Sequence, residues 1–302
     1  VRYWRAAMAG WRRVVRERGR PDLLHVHIMV RPAVVALWLR TWQGIPYLIS
    51  EQSSEYLDGT WAGKSAAFKA LNIHIFRRAA RVTAVSDGLG SAMSALGLCR
   101  KYDVIPNVVP GSDLPLPPAG PMGSFLVVAD LVDRTKNVSG VLRAFSAAIR
   151  ERPDLRLDVI GDGEDAAALK SLAHELGTNG SVKFHGRMPQ AQVMEHMART
   201  GAVIINSNVE TFSVVTGEAL ALGRPVIATR CGGPVAFISE VNGQLIPINN
   251  DDALRKAMLD MASATHYEPS AIRATVSDRY SATSVGAAFN AIYTDILHHA
   301  RR

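Results

Sequence analysis

The sequence predicts an α/β protein of two doubly wound parallel-sheet domains. Three observations predict it: short apolar runs alternate with helical patterns along the whole chain, one proline- and glycine-rich break interrupts both periodicities, and the length suits two domains. The 302 residues are 48% hydrophobic and 20% charged, ordinary figures for a globular chain. No apolar run approaches the ~20 residues that span a bilayer; the longest candidate, 33–39, is bracketed by Arg31 and Arg40. The first twenty residues hold seven arginines and no apolar core segment, which argues against a secretory signal. Cys99 and Cys231 form neither a disulfide framework nor a metal-ligand spacing, so a reducing, cytoplasmic setting is expected.

The chain opens on a helical pattern in which Trp4, Met8, Trp11, Val14 and Val15 recur at spacings of three and four between arginines. A domain whose first element is a helix is expected to lack strands before Val1. Strands are then predicted at 23–27, 47–50, 82–85 and 103–105, with helices at 33–42 and 63–78. The passage 106–123, PNVVPGSDLPLPPAGPMG, breaks both periodicities and reads as a linker. The second half restarts: strands at 124–129, 155–160, 182–184, 202–205, 225–228 and 243–246, helices at 138–150 and 166–176. The predicted organisation is an incomplete first domain (1–112), a linker (113–123), a second domain (124–282) and a terminal helix (283–302) packing back towards the first. Two such domains are expected to face each other across a cleft at the carboxyl ends of their strands. His298, His299, Arg301 and Arg302 read as a polar helix end suited to the local dipole.

Charge is unevenly spread. The net +7 arises from residues 1–120, where 16 Lys and Arg face 8 Asp and Glu. A basic first half suggests an anionic surface as partner, and with the tryptophan-bearing first helix an anionic membrane is one candidate. A solvated arginine-rich face packed on a sheet accounts for the same residues.

The segment NSNVETFSVVTGEALALGRP, 206–225, carries the chemistry. It follows a buried strand and holds two glutamates, Glu210 and Glu218. Ser213 is an N-cap candidate, which puts Glu210 in the loop and Glu218 about a turn into the helix. The backbone N–H groups of 212–215 then form a helix N-terminus suited to a diphosphate, and a carboxylate in the first turns can accept the hydroxyls of a ribose.

Glu210-Thr-Phe-Ser-Val-Val-Thr-Gly-Glu218-Ala resembles the E-x-F-G-x-x-x-x-E-A segment of the retaining GT-B glycosyltransferases of family 4, with Ser213 where Gly is usual. DLLHVH (22–27), VTAVSDGL (82–89) and VIPNVV (104–109) are similar to the first domain of that family. VADLVDRTKNVSGVLRAF (128–145), LDVIGDGED (157–165), VKFHGRM (182–188) and CGGP…NGQLIP (231–247) are similar to its second. SEQSSEYL (50–57) is most similar to members that build bacterial surface polysaccharides. The resemblance implies the GT-B fold and transfer from a nucleotide-diphosphate sugar to a glycan or lipid-diphosphate-linked acceptor.

It further implies roles. Lys136 matches the lysine that binds the donor diphosphate; the arginine usual a few residues earlier corresponds to Asp130, for which Arg134 is the candidate substitute. Glu210 carries over beside the donor sugar and Glu218 on the ribose. Thr211, Phe212, Ser213 and Val214 supply the helix-start donor contacts, with Gly161, Arg187 and Met188 also on the donor side. On the acceptor side stand Glu51 and Gln52, the latter where a histidine is usual; Gln hydrogen-bonds but cannot shuttle a proton. With no Asp-x-Asp pair and no histidine cluster, no metal is expected; no other cofactor and no nucleic-acid partner are expected for such a transferase.

Two other readings use the same residues. Gly161-x-Gly163-x-x-Ala166 after a strand satisfies a dinucleotide fingerprint, but 182–186 ends in His185 and Gly186 without the acidic residue such a site needs. Asp130 and Gln52 also fit a nucleotide-sugar-binding fragment of weak or absent catalytic power.

Overall fold

The computed structural model describes residues 2–29, 31–178 and 180–300; Arg301 and Arg302 of the expected polar helix end lie outside them. The chain forms two compact units, Val1–Pro106 with Val285–Arg302, and Asn107–Ser284.

In the first unit, β1 (Leu24–His27), β2 (Tyr47–Glu51), β3 (Arg81–Ala84) and β4 (Asp103–Val104) form a parallel sheet in chain order. The helices are α1 (Arg2–Arg18), α2 (Pro32–Gln43), α3 (Ala66–Arg78) and α4 (Asp87–Ala95). Local chemistry sets their limits. Pro32 starts α2, and Gly44, at φ 71°, ends it with its N–H on the Arg40 carbonyl. The sequence predicted one helix from Gly63, but a 3-10 turn fills Thr60–Gly63 and α3 begins three residues later. There the Ser65 hydroxyl accepts the Phe68 N–H and caps the helix. All five residues of β2 are buried, as a central strand covered on both faces requires. None of α1 is fully buried.

His25 and His27 lie on the same face of β1, their rings stacked 3.9 Å apart, because side chains two apart on a strand point the same way.

The second unit contains β5 (Ser124–Val128), β6 (Arg156–Ile160), β7 (Val182–Gly186), β8 (Ala202–Ile205), β9 (Val226–Thr229) and β10 (Gly243–Ile246). Its helices are α5 (Asp133–Lys136), α6 (Val138–Glu151), α7 (Ala166–Glu175), α8 (Gln190–Arg199), α9 (Val214–Ala221), α10 (Asp251–Ser263) and α11 (Pro269–Ala274). The sheet is wholly parallel, in the order β10-β9-β8-β5-β6-β7. From central β5 the chain winds outward to β7, then returns to the other flank of β5 as β8. The strand order therefore reverses between β5 and β8, which leaves a crevice at their carboxyl ends. On α6, Val138, Val141, Leu142 and Phe145 are buried against Phe125, Val127 and Leu157 of the sheet and Met258 and Met261 of α10. Each such side chain contributes about 1.5–3 kcal/mol of burial.

The expected linker at 113–123 is not a free connection. From Asn107 the chain belongs to the second unit. The buried Arg224 guanidinium donates to the carbonyls of Pro117 (3.2 Å), Pro118 and Thr200 (3.4 Å). Prolines cannot donate from the backbone but still accept, so a polar anchor holds a segment that has no regular structure.

The last helix, α12 (Ala282–Ala300), joins the first unit from Val285 onward. Tyr293 Oη lies 2.8 Å from His25 Nδ1, and Asp295 pairs with Arg81.

Candidate functional site

A cavity of about 350 Å³ opens at the carboxyl ends of β5, β6 and β8, at the point where the strand order reverses. Ala129 and Asp130 after β5, Gly161 after β6, and Asn206 and Ser207 after β8 line it, with Lys136 and the start of α9, Ser213 to Val215. Gly161 is required there. A Cβ on it would stand 1.8 Å from the Ala129 carbonyl oxygen, and its φ is 144°.

Lys136 ends α5, and the following Asn137 is left-handed at φ 45°. The Asn208 amide donates to the Thr135 carbonyl at 2.8 Å, and the Asn208 side chain donates to the Arg134 carbonyl at 3.0 Å. Asn206 likewise donates to the Asn137 carbonyl at 3.0 Å. The polar run after β8 thus clamps the turn that carries Lys136. Its ammonium donates to Glu210 Oε1 at 2.6 Å, and the Ser207 hydroxyl donates to the same oxygen at 2.8 Å.

Glu210 is fixed through its backbone. Its N–H donates to the Cys231 carbonyl (2.9 Å), and its own carbonyl accepts from Gly233 (2.8 Å). A Cβ on Gly233 would stand 2.4 Å from the Phe212 backbone, and one on Gly232 would stand 2.5 Å from the Glu210 carbonyl oxygen. The glycine pair therefore permits the close approach of this loop.

Ser213 occupies the N-cap position, but with φ 69° and no side-chain bond to the helix backbone. Its hydroxyl meets the Thr216 hydroxyl at 2.8 Å. The expected cap is thus absent, and the backbone adopts the left-handed conformation that suits glycine. The first N–H groups of α9 remain available at the cavity wall.

Other expected donor residues take different places. Glu218 is buried and does not line the cavity; it accepts from Gln190 Nε2 at 2.6 Å. Burial raises its pKa, against the opposing Gln190 bond. Phe212 is 4% exposed and packs edge-on against Phe237 and Tyr280, so its side chain is core. Thr211 is half-buried outside the cavity wall. Val214 and Met188 line the cavity.

Arg134, expected to replace the missing arginine, is exposed and absent from the wall. On the short α5, two residues before Lys136, its side chain leaves in another direction. Arg187 lines the cavity instead and pairs with Asp130 at 3.0 Å. A guanidinium therefore stands beside the position where the sequence showed a carboxylate. Sequence reasoning placed Arg187 on the donor side and missed this pairing, since 57 residues separate the two. It also passed over Asn206 and Ser207, in the polar run that follows buried β8, and Gln190, which opens α8 and meets Glu218 from 28 residues away.

In the first unit, Glu51 is fully buried at the end of β2, accepting the backbone N–H groups of Gln52 (2.8 Å) and Ser53 (2.9 Å). Burial pushes its pKa up while these donors oppose the shift. Through these bonds Glu51 organises the turn after β2. Gln52 beside it is half-buried. Among the described residues, no three His, Cys, Asp or Glu side chains gather as a metal site, and no helix is long and apolar enough to cross a membrane.

The model of the glycosyl transferases group 1 family matches residues 122–272, half of the chain, and that of the glycosyl transferase 4-like domain matches 1–108. The chain belongs to the group 1 glycosyltransferases. Its fold is GT-B. The lipopolysaccharide outer core galactosyltransferase WaaB in its apo form superposes with a TM-score of 0.73 at 22% identity, over 95% of this chain and 79% of that one. Anabaena Alr3699/HepE, solved in complex with UDP, gives a TM-score of 0.78 at 19% identity, over 94% and 81%. These likenesses concern the fold.

Among curated relatives, a D-inositol 3-phosphate glycosyltransferase of Saccharomonospora viridis is 31% identical over 55% of this chain and 44% of its own length. The lipopolysaccharide 1,6-galactosyltransferase of Escherichia coli is 28% identical over 65% and 56%. An exopolysaccharide phosphotransferase of Streptomyces coelicolor is 30% identical over 58% of this chain and 18% of its own length. The chain thus spans less than two thirds of the length of these relatives.

Proposed function

We propose that this protein is a retaining, metal-independent glycosyltransferase. It moves a sugar from a nucleotide-diphosphate sugar to a glycan or lipid-diphosphate-linked acceptor in surface polysaccharide synthesis, at the inner face of the plasma membrane. The observation that carries this reading is the convergence of Lys136 and the N-terminus of α9 on one cavity at the strand-order switch.

Cleavage of the sugar–diphosphate bond leaves about two negative charges on the terminal phosphate of the departing nucleotide and a cation-like sugar. An ammonium and a helix N-terminus are fixed donors for that charge and need no reorganisation as it develops. With a diphosphate present, Lys136 would exchange its Glu210 contact for phosphate oxygens, freeing Glu210 beside the electron-poor sugar. Glu218, one turn deeper in α9, would take ribose hydroxyls by giving up its Gln190 bond. The departing phosphate would receive the acceptor proton on the face it vacates, which yields retention without a protein nucleophile.

The test is a thermal-shift titration with UDP, GDP and ADP, each with and without Mg²⁺, with NAD as control. Binding to the folded state raises stability by about 2.7 kcal/mol at a hundredfold excess over Kd. The proposal expects a metal-independent shift with one nucleotide, lost in Lys136→Ala. No shift with any of the three would sink it.

A further inference from the structure

A second cavity, of about 740 Å³, lies in the first unit at the amino ends of β3 and β4, below the loops that end α3 and α4. Its floor is apolar: Phe76, Val82, Leu98 and Cys99 are each under 9% exposed. Its wall carries Arg77, Arg81, Arg100 and Lys101 against a single carboxylate, Asp103. Arg81 is engaged by Asp295. Arg77, Arg100 and Lys101 are exposed and make no ion pair among the described residues.

Part of this charge answers the fold. The C-termini of α3 and α4 each present about half a negative charge, and Asp103 supplies one more. Three unpaired cations still leave a surplus of about one positive charge at the mouth of an apolar hollow. We propose that this cavity binds a phosphate ester carried on an apolar body, independently of the donor pocket in the second unit. The apolar floor would take the body, and the Arg100–Lys101 pair with Arg77 the phosphate, arginine supplying the forked donors. Phosphate esters of this kind occur as small phosphorylated metabolites and as phospholipid headgroups.

The test uses hexyl phosphate, with hexanol and inorganic phosphate as controls, titrated calorimetrically into the full chain. Three variants are compared: Arg100→Glu with Lys101→Glu, Arg77→Glu alone, and Lys136→Ala in the donor pocket. The altered residues of the first unit are exposed, and unchanged melting in the absence of ligand verifies folding. Hexyl phosphate is expected to bind more tightly than either control. The double reversal should weaken it about tenfold or more, Arg77→Glu should weaken it by less, and Lys136→Ala should leave it unchanged. Binding that survives the double reversal, or that is lost in Lys136→Ala, overturns the proposal. Flotation with phosphatidic acid vesicles and not with phosphatidylcholine, abolished by the double reversal, assigns the headgroup source. Hexyl phosphate binding without flotation assigns the soluble one. The proposal does not depend on which nucleotide the second unit takes.

Discussion

The Lys136 ammonium lies 2.6 Å from Glu210 Oε1, although 74 residues separate them in sequence. Both side chains are mostly covered, at 26% and 15% exposure. The contact joins the cation expected to meet a diphosphate to the carboxylate expected beside the sugar, so each holds the other in position while no anion is bound. Replacing Lys136 by Ala should abolish nucleotide-induced stabilisation. The same change should alter intrinsic stability by only about 1 kcal/mol, because the pair keeps some solvent contact. Urea melts with and without nucleotide separate the two effects; equal nucleotide shifts in both proteins would refute the role.

Glu210→Gln should leave nucleotide binding intact or stronger, since it releases Lys136 from a competing negative charge while keeping side-chain size. Transfer should nevertheless fall by at least about tenfold, the loss of about 1.4 kcal/mol of transition-state stabilisation. Nucleotide titration beside a single-turnover transfer assay checks both expectations. Loss of nucleotide binding in this variant would count against the exchange mechanism.

Asp130 and Arg187 form an exposed pair at the rim of the donor cavity, at 3.0 Å with both side chains over 70% exposed. Asp130→Arg should raise nucleotide-diphosphate affinity several-fold by placing a second guanidinium where a carboxylate now stands. Arg187→Ala should lower it by a similar factor, and neither change should move the melting temperature of the unliganded protein measurably. Competition titrations at two salt concentrations read this out, with the larger differences at low salt.

Ser213, at φ 69°, combines a left-handed backbone with a hydroxyl contact to Thr216. Ser213→Ala keeps the strain and removes the contact, so a loss of about 1–2 kcal/mol is expected. Ser213→Gly removes both and should stay within about 1 kcal/mol of the native protein. Chemical denaturation gives the ranking, and a Gly variant less stable than the Ala variant would contradict it.

His25 packs beneath α12, between Tyr293 and Ser50 and beside His27. Burial, with the nearby His27 charge, lowers its pKa to about 4 from 6.5. The folded state therefore disfavours a proton that the unfolded chain binds below about pH 6.5. Stability contributed by neutral His25 is full above that pH and is lost progressively as pH falls from about 6.5 to 4. Allowing for solvent screening, the loss should be about 1–2 kcal/mol. His25→Gln should flatten that part of the stability–pH curve measured by denaturation; an unchanged slope would refute the assignment.

What the sequence by itself determined follows from local rules. Alternating apolar runs and helical spacing located the strands within a residue or two, because burial on both faces of a parallel sheet leaves continuous apolar stretches. The glycines at 161, 232 and 233 were written where backbones touch. The residues 206–225 announced a helix N-terminus with two glutamates, and that helix begins at Val214. Tertiary structure decided everything that depended on direction and on distant partners. Which side chains reach the cavity turned on rotation about short elements, so Lys136 lines it and Arg134 does not. Pairing across 57 residues set Arg187 beside Asp130, and packing buried the side chains of Glu51, Phe212 and Glu218. Arg224 joined a proline-rich stretch to the second unit through carbonyl bonds that no periodicity encodes. Sequence spacing fixes which face of an element a residue occupies; only packing fixes what stands opposite it.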